Sequence, residues 1–218
     1  DRLESANSFE EELNQIIVEL CNKHKRILFD GNGYSKEWQD EAQKRGLPNL
    51  KGMVDAIPCL VTDKSIGLFE SFGVYSEAEL RSRAEIQFET YAKQINIEAL
   101  TMIDLAGKQI IPAVIDYSTQ LATSILQIEK TDMSASVQRT ILNAVNEQLV
   151  VAHEAYARLK ETMQEVGNYK EGKEQAEFYY HHVTSKMTAL RQPIDELEMI
   201  VDKKVWPMPS YGDLMFEI

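Results

Sequence analysis

The residues Phe29–Ser35, FDGNGYS, follow a short apolar run, RILF, and open onto KEWQDEAQKRG, which has the composition of a helix. Glycines between a strand and a helix start are how many phosphate-cradling loops are built, because backbone N–H groups and the helix dipole face the anion there. Here that chemistry is incomplete. GNG lacks the third glycine of a dinucleotide fingerprint and the GK[S/T] of a P-loop, and Lys36 falls one residue into the helix, after the cap. Asp30, at the loop entrance, would repel an anion. The stretch therefore reads as a structural turn, with Gly31 and Gly33 supplying positive φ and Ser35 capping the helix that follows.

Metal chemistry is the next possibility. A carboxylate-bridged site in a helical bundle uses Glu-x-x-His pairs, so that both ligands project from one face. The positions three before His153 and His181 hold Val150 and Phe178 instead. His181 and His182 are adjacent and point about 100° apart on a helix, a poor chelate. These three and His24 read as surface or packing residues. Cys21 and Cys59 sit in no CxxC. They read as reduced thiols, too few for a disulfide framework at this length. INIEALTMIDLAGKQIIPAV sets Asn96, Glu98, Thr101 and Asp104 among closely spaced apolar residues. A buried polar seam of this kind either does catalysis or meets another part of a larger protein, and the spacing favours the second. With no Ser/His/Asp set and no second glycine-rich loop, the residues assign no catalytic, cofactor-binding or metal position.

The elements that position these residues are helices. Phe9, Leu13, Ile16, Ile17 and Leu20 share one helical face, with Ser8 and Glu11 as a capping box. Two short segments broken by Pro48, Pro58 and Gly67 come next. Ser76 and Glu79 then form a second box, with Tyr75 and Leu80 as a staple. From Leu80 the apolar positions 84, 88, 91, 95, 99, 102, 106, 110, 114, 117, 121, 125 and 128 predict one helix of about 50 residues, on the order of 75 Å long. Pro112 removes a backbone hydrogen bond and predicts a kink, and Gly107 costs that helix about 1 kcal/mol against alanine. After TDMSAS the stripe resumes at Val137, Ile141, Val145, Leu149, Ala152, Tyr156, Leu159, Met163 and Val166, and Gly167 suits a left-handed C-cap. A third stripe runs through Ala176, Tyr180, Val183, Met187, Leu190, Ile194, Leu197 and Val201.

The fold class is accordingly mainly α. Long antiparallel helices at about 76–130, 134–166 and 169–203 make a hairpin packed on the first long helix, with coiled-coil-like spacing. A short strand-turn lies near the N-terminus. The tail 205–218 is proline-broken and then alternates Leu214, Phe216 and Ile218 in the manner of a strand. Three regions follow: 1–75 with the GNGYS turn, 76–204 with the long helices, and 205–218 as an extended tail.

Composition bounds the function. The chain has 218 residues, 44% hydrophobic and 27% charged, enough to bury a core. A net charge of −12 argues against nucleic acid as a partner, since phosphate neutralisation needs clustered Lys and Arg. No apolar run is long enough to span a bilayer or to act as a signal peptide, so no membrane is expected. A first residue Asp1, without Met and within a helical pattern, is expected of an excised fragment.

Three longer runs carry a family resemblance. KRILFDGNGYSKEWQDEAQKRGLPNLK, SRAEIQFETYAKQINIEALTMIDLAGKQIIPAV and WPMPSYGDLMFEI, in that order, resemble the C-terminal part of type III glutamine synthetases. Between about 125 and 180 only a helical pattern is shared. VYSEAEL and the tail also look like distant versions of the end of ordinary glutamine synthetases, which makes the long helices an insertion before a shared terminal strand. Asp30, where the family pattern has asparagine, and Gly107 are small departures. The resemblance implies a cytoplasmic enzyme that joins glutamate and ammonia using ATP and a divalent metal (magnesium). Its active sites lie between neighbouring subunits of hexameric rings that pair into dodecamers. It also implies that the metal-binding, nucleotide and glutamate motifs lie upstream, so no catalytic residue is carried over. The expected role is non-catalytic: to shape the subunit and support the oligomer, with the rest of the chain and neighbouring subunits as partners. A free-standing helical protein–protein interaction module is the alternative.

Overall fold

A computed structural model describes residues 2–5 and 7–216. The chain divides into two compact units between Lys51 and Gly52. Residues 52–75 fall in the same unit as the long helices.

The first unit holds α1 (Phe9–Lys23) and α2 (Lys36–Lys44). Ser8 caps α1 by accepting from Glu11 N, and three glutamates in the first turn complement the dipole. The strand expected at RILF does not form. Lys25–Ile27 is a single 3-10 turn, because Leu28 N–H donates back to Lys25 O instead of to a neighbouring strand. Trp38 on α2 packs against Phe29, ring centroids 4.6 Å apart, and the Arg45 guanidinium reaches Leu28 O and Glu41. These contacts close the turn.

The second unit comprises α3 (Met53–Ala56), α4 (Asp63–Ser71), α5 (Glu77–Leu105), α6 (Ile111–Glu129), α7 (Ser136–Glu165), α8 (Lys173–Phe178), α9 (Thr184–Glu198) and α10 (Tyr211–Phe216). α5 starts at a complete capping box: Ser76 accepts from Glu79 N, and the Glu79 carboxylate accepts from Ser76 N at 2.8 Å. Tyr75 lies against Phe69 and under Arg83. α5 and α6 form one long rod interrupted by a π-helical turn at Ala106–Ile110, where Ile111 N–H donates to Ala106 O five residues back. The disturbance expected at Pro112 takes this form. A π-turn just ahead of the proline absorbs the missing donor without ending the helix.

α7 runs back along α6, and α9 returns along α7. Their shared core is one cluster around Phe88, Ala99, Leu159, Tyr179, Val183 and Leu190, and a second around Ile110, Val114, Val145, Ala152 and Leu197. Four of the buried positions along the α5 rod are alanines (84, 92, 99 and 106), which lets the partner helices approach closely. Two details differ from the sequence pattern. Val137 is exposed, and Ala135 closes that end of the core instead. Gly167 lies in a 3-10 turn, while the left-handed position is Gly172 (φ +89), just ahead of α8. A second π-turn, Tyr179–Val183, joins α8 to α9, with Thr184 N–H donating to Tyr179 O.

The tail is not extended. Residues 211–216 form α10, because Ser210 and Asp213 cap each other: Ser210 N donates to Asp213 Oδ2 at 2.7 Å, and Asp213 N to Ser210 Oγ. A local cap outweighs the alternation of Leu214 and Phe216; Ile218 lies outside the described residues. No strand forms among the described residues.

Candidate functional site

The stretch that most resembled a phosphate loop is a turn. Asn32 Oδ1 accepts from Tyr34 N at 3.0 Å, Ser35 N donates to Asn32 O, and Ser35 caps α2 through Trp38 N. An Asx-turn of this kind satisfies the local N–H groups from within the loop. Gly31 and Gly33 do not take positive φ, contrary to expectation. Gly31 serves a different purpose, because a Cβ there would lie 2.8 Å from the Phe29 ring; at Gly33 nothing is near.

The polar seam of α5 does not hold together as a buried unit. Glu98 accepts from Gln94 at 3.0 Å, Asp104 pairs with Lys108, and Thr101 donates to Ile97 O at 2.8 Å. All three are exposed, each held by a partner within one helical turn. Asn96 alone turns inward, where its Oδ1 accepts from the hydroxyl of Tyr179 at 2.9 Å. No polar or charged side chain is fully buried among the described residues.

His24, His153, His181 and His182 are all exposed. His181 lies edge-on to Tyr180, and His182 lies 5.1 Å from Phe178, so both serve aromatic packing around the second π-turn. Cys21 and Cys59 are free and exposed. Among the described residues no three His, Cys, Asp or Glu side chains come together in a way that could hold a metal ion, and no helix is long and apolar enough to cross a membrane.

The sequence pattern missed Tyr179 and the hydrogen-bonding role of Tyr180, both in the second π-turn. Tyr179 points to Asn96 on α5, while Tyr180 donates to Asp55 Oδ2 at 3.0 Å and packs edge-on to Tyr91. The hydrogen bond to Asp55 pushes the Tyr180 hydroxyl above its usual pKa, and burial does the same for Tyr179. Both stay neutral donors. Tyr180 also lies where a Cβ on Gly52 would be, 2.5 Å away, so the glycine admits the ring.

Among the described residues, α1 and α10 leave apolar side chains exposed. α1 buries none of its residues and exposes Phe9, Ile17, Val18 and Leu20. α10 exposes Tyr211, Leu214, Met215 and Phe216, the last at 79%.

A family model described as the glutamine synthetase C-terminal domain matches residues 12–129. The chain belongs to this family. It is 33% identical over 217 residues to a glutamine synthetase of Butyrivibrio fibrisolvens, an alignment covering 98% of this chain and 31% of that protein. It is 32% identical over 209 residues to a type-3 glutamine synthetase of Dictyostelium discoideum, covering 93% and 28%. A glutamine synthetase of Bacteroides fragilis is 29% identical over 215 residues, covering 95% and 29%. The chain thus spans a little under a third of the length of these curated relatives. The family match ends at residue 129, at the end of α6, whereas the alignments to whole glutamine synthetases extend through the hairpin.

Proposed function

We propose that this chain is the non-catalytic C-terminal helical part of a glutamine synthetase, which shapes the subunit and supports assembly of the oligomer. The observation that carries the reading is the uncovered apolar face of α1, most of which lies within the family match. Phe9 and Leu20 on this face are 59% and 50% exposed, so completing the burial of each would contribute about half of the roughly 1.5–3 kcal/mol that full burial of such a side chain supplies. Relatives three times as long contain the additional polypeptide that such a face requires. The partners in this reading are the rest of the same chain and neighbouring subunits, in a cytoplasmic enzyme that joins glutamate and ammonia with ATP and magnesium. The described residues do not fit a divalent metal, since no ligand cluster forms among them.

The test compares three proteins: the full-length ligase, the same ligase with 76–204 replaced by a short linker, and the 218-residue chain alone. Glutamate-, ammonia- and ATP-dependent phosphate release is measured beside light scattering. The full-length protein is expected to turn over, the chain alone not to, and the deletion variant to lose assembly or solubility. Turnover by the chain alone would refute the non-catalytic role. A deletion variant with normal assembly and normal rate would refute the scaffold role.

A further inference from the structure

The outward face of α5 repeats its own chemistry in reverse. Forwards from Glu89, steps of four give Glu89, Lys93 and Ile97; backwards from Lys108, they give Lys108, Asp104 and Leu100. Each member of one series is as far from the midpoint between residues 98 and 99 as its counterpart in the other. The two outer pairs are of opposite charge, and the inner pair is apolar. A four-residue step advances the face by about 40° and the central three-residue step sets it back by about 60°, so these residues lie within about 100° of one another over roughly 28 Å of helix. Lys108 falls in the first π-turn, and its ion pair with Asp104 keeps it on this side.

All of them are exposed, Ile97 at 65% and Leu100 at 50%, whereas Phe88, Ala92 and Ala99 on the core side of the same helix are buried. Single exposed apolar residues are ordinary. The order of the charges is what specifies an occupant. Within the chain each lysine pairs with the carboxylate one turn before it, Lys93 with Glu89 at 3.1 Å and Lys108 with Asp104. A second α5 laid antiparallel on the strip, about a two-fold axis at its midpoint, brings Lys93 to Asp104 of the other copy and Glu89 to Lys108 of the other copy. Every contact is then made twice, as in any isologous pairing. Each end of the strip becomes four charges alternating in sign, and Ile97 and Leu100 of the two copies meet between them. A parallel pairing in register sets like charge against like at every charged position, so the strip also selects the orientation. A hollow of about 510 Å³, lined in part by Leu100, Ile103 and Asp104, lies level with the arriving Ile97. A strip one helix wide and about 28 Å long buries less than the roughly 1,200 Å² of a stable interface, so the contact is weak and reversible.

We propose that α5 is a self-recognition surface, through which two copies of this chain pair antiparallel. Ile97 and Leu100 form the centre of the contact, and the two sets of charges fix its register and direction. The inference rests on this strip alone and holds whether or not the chain works within a ligase.

The test is sedimentation velocity on the 218-residue chain from micromolar to millimolar concentration, which is expected to show a monomer–dimer equilibrium that weakens as salt rises. Lys93→Glu sets a carboxylate against Asp104 of the other copy, and Asp104→Lys sets an ammonium against Lys93 of the other copy, twice per pair in each case. Each substitution is expected to weaken association roughly tenfold or more, with unchanged circular dichroism. Mixing the two variants decides the matter. In the mixed pair, positions 93 and 104 face opposite charges at both contacts, so a dimer is expected where neither variant pairs with itself. Should either variant lose helicity, Glu89→Lys and Lys108→Glu are read the same way, since those positions face each other at the outer pair. A chain that stays monomeric at millimolar concentration would overturn the proposal. So would association that the folded variants leave unchanged, or variants that remain monomeric when mixed.

Discussion

Gly107 lies inside the longest rod of the molecule, where glycine is normally a liability. Replacing it with alanine should gain about 1 kcal/mol from helix propensity alone. The structure opposes that gain. A Cβ at 107 would sit 2.8 Å from Tyr156 Oη, 2.9 Å from its Cε2 and 3.0 Å from its Cζ. Tyr156 is half-buried against the first core cluster, so the ring cannot withdraw without disturbing its neighbours. Forcing an extra methyl into such a contact costs about 1–3 kcal/mol. Setting the gain against the cost, Gly107→Ala is expected to be neutral to about 2 kcal/mol destabilising. In a Tyr156→Ala background the obstacle is gone, and the same substitution should stabilise by about 1 kcal/mol. The coupling in the double-mutant cycle is thus about 1–3 kcal/mol. Urea denaturation of the four proteins, followed by circular dichroism, measures it. A Gly107→Ala protein that is more stable by about 1 kcal/mol in both backgrounds would show that Tyr156 yields freely, and that the close approach does not explain the glycine.

Val145 is fully buried in the second cluster and Val150 is 58% exposed on the same helix. Val145→Asp should therefore unfold the α6–α7–α9 packing, whereas Val150→Asp should change the urea midpoint little; equal effects would mean that the hairpin faces are misassigned. Gly31→Ala should lower the melting temperature of the first unit, since its Cβ displaces the Phe29 ring from Trp38, while Gly33→Ala should not. Near-ultraviolet circular dichroism of Trp38 reports the displacement. Lys203 and the Ser210 cap hold the Asp213 carboxyl down at about 2, below its value of about 3.9 in an unfolded chain. A depressed carboxyl pKa stabilises above the unfolded value, so anchoring of α10 should be complete above about pH 4 and lost as pH falls towards 2. Hydrogen exchange across 210–216 reads this, and Asp213→Asn should exchange fast near neutral pH and lose the acid transition.

The helical stripes were legible because burial on one face of a helix leaves a 3–4 period in the sequence. Leu80, Ala84, Phe88, Ala99, Val114, Leu121 and Ile125 all read correctly as core on the long rod. The same reasoning fails at the ends of the chain, where local capping competes with alternation. Lys25–Ile27 and Tyr211–Phe216 would be strands only beside a neighbouring strand, and the described residues supply none. The burial expected of the polar seam within this chain does not occur, for a related reason. Glu98, Thr101 and Asp104 lie between apolar residues in sequence, yet each is satisfied by a partner one turn away and needs no burial. Asn96, the member that does turn inward, is indistinguishable from them by spacing. Its partner, Tyr179, is 83 residues distant.

The reason Tyr179 could not be located is the π-turn itself. The third stripe, stepped by three and four, assigned Tyr180 to the core and left Tyr179 off the face. In the folded chain Phe178 and Tyr179 are both buried and Tyr180 is half-buried, three consecutive aromatic side chains turned towards the interior. An α-helix spaces successive side chains by about 100°, too widely for three in a row to share an inward face comfortably. A turn closed by i→i+5 hydrogen bonds is wider, and the angle between successive side chains is smaller. That geometry lets Tyr179 reach Asn96 while Tyr180 reaches Asp55, so two neighbours tie α5 and α3 to one point of the α8–α9 helix. The turn has no glycine or proline within it to announce its position. What selects it is the set of tertiary contacts it permits, and these exist only once the helices have packed.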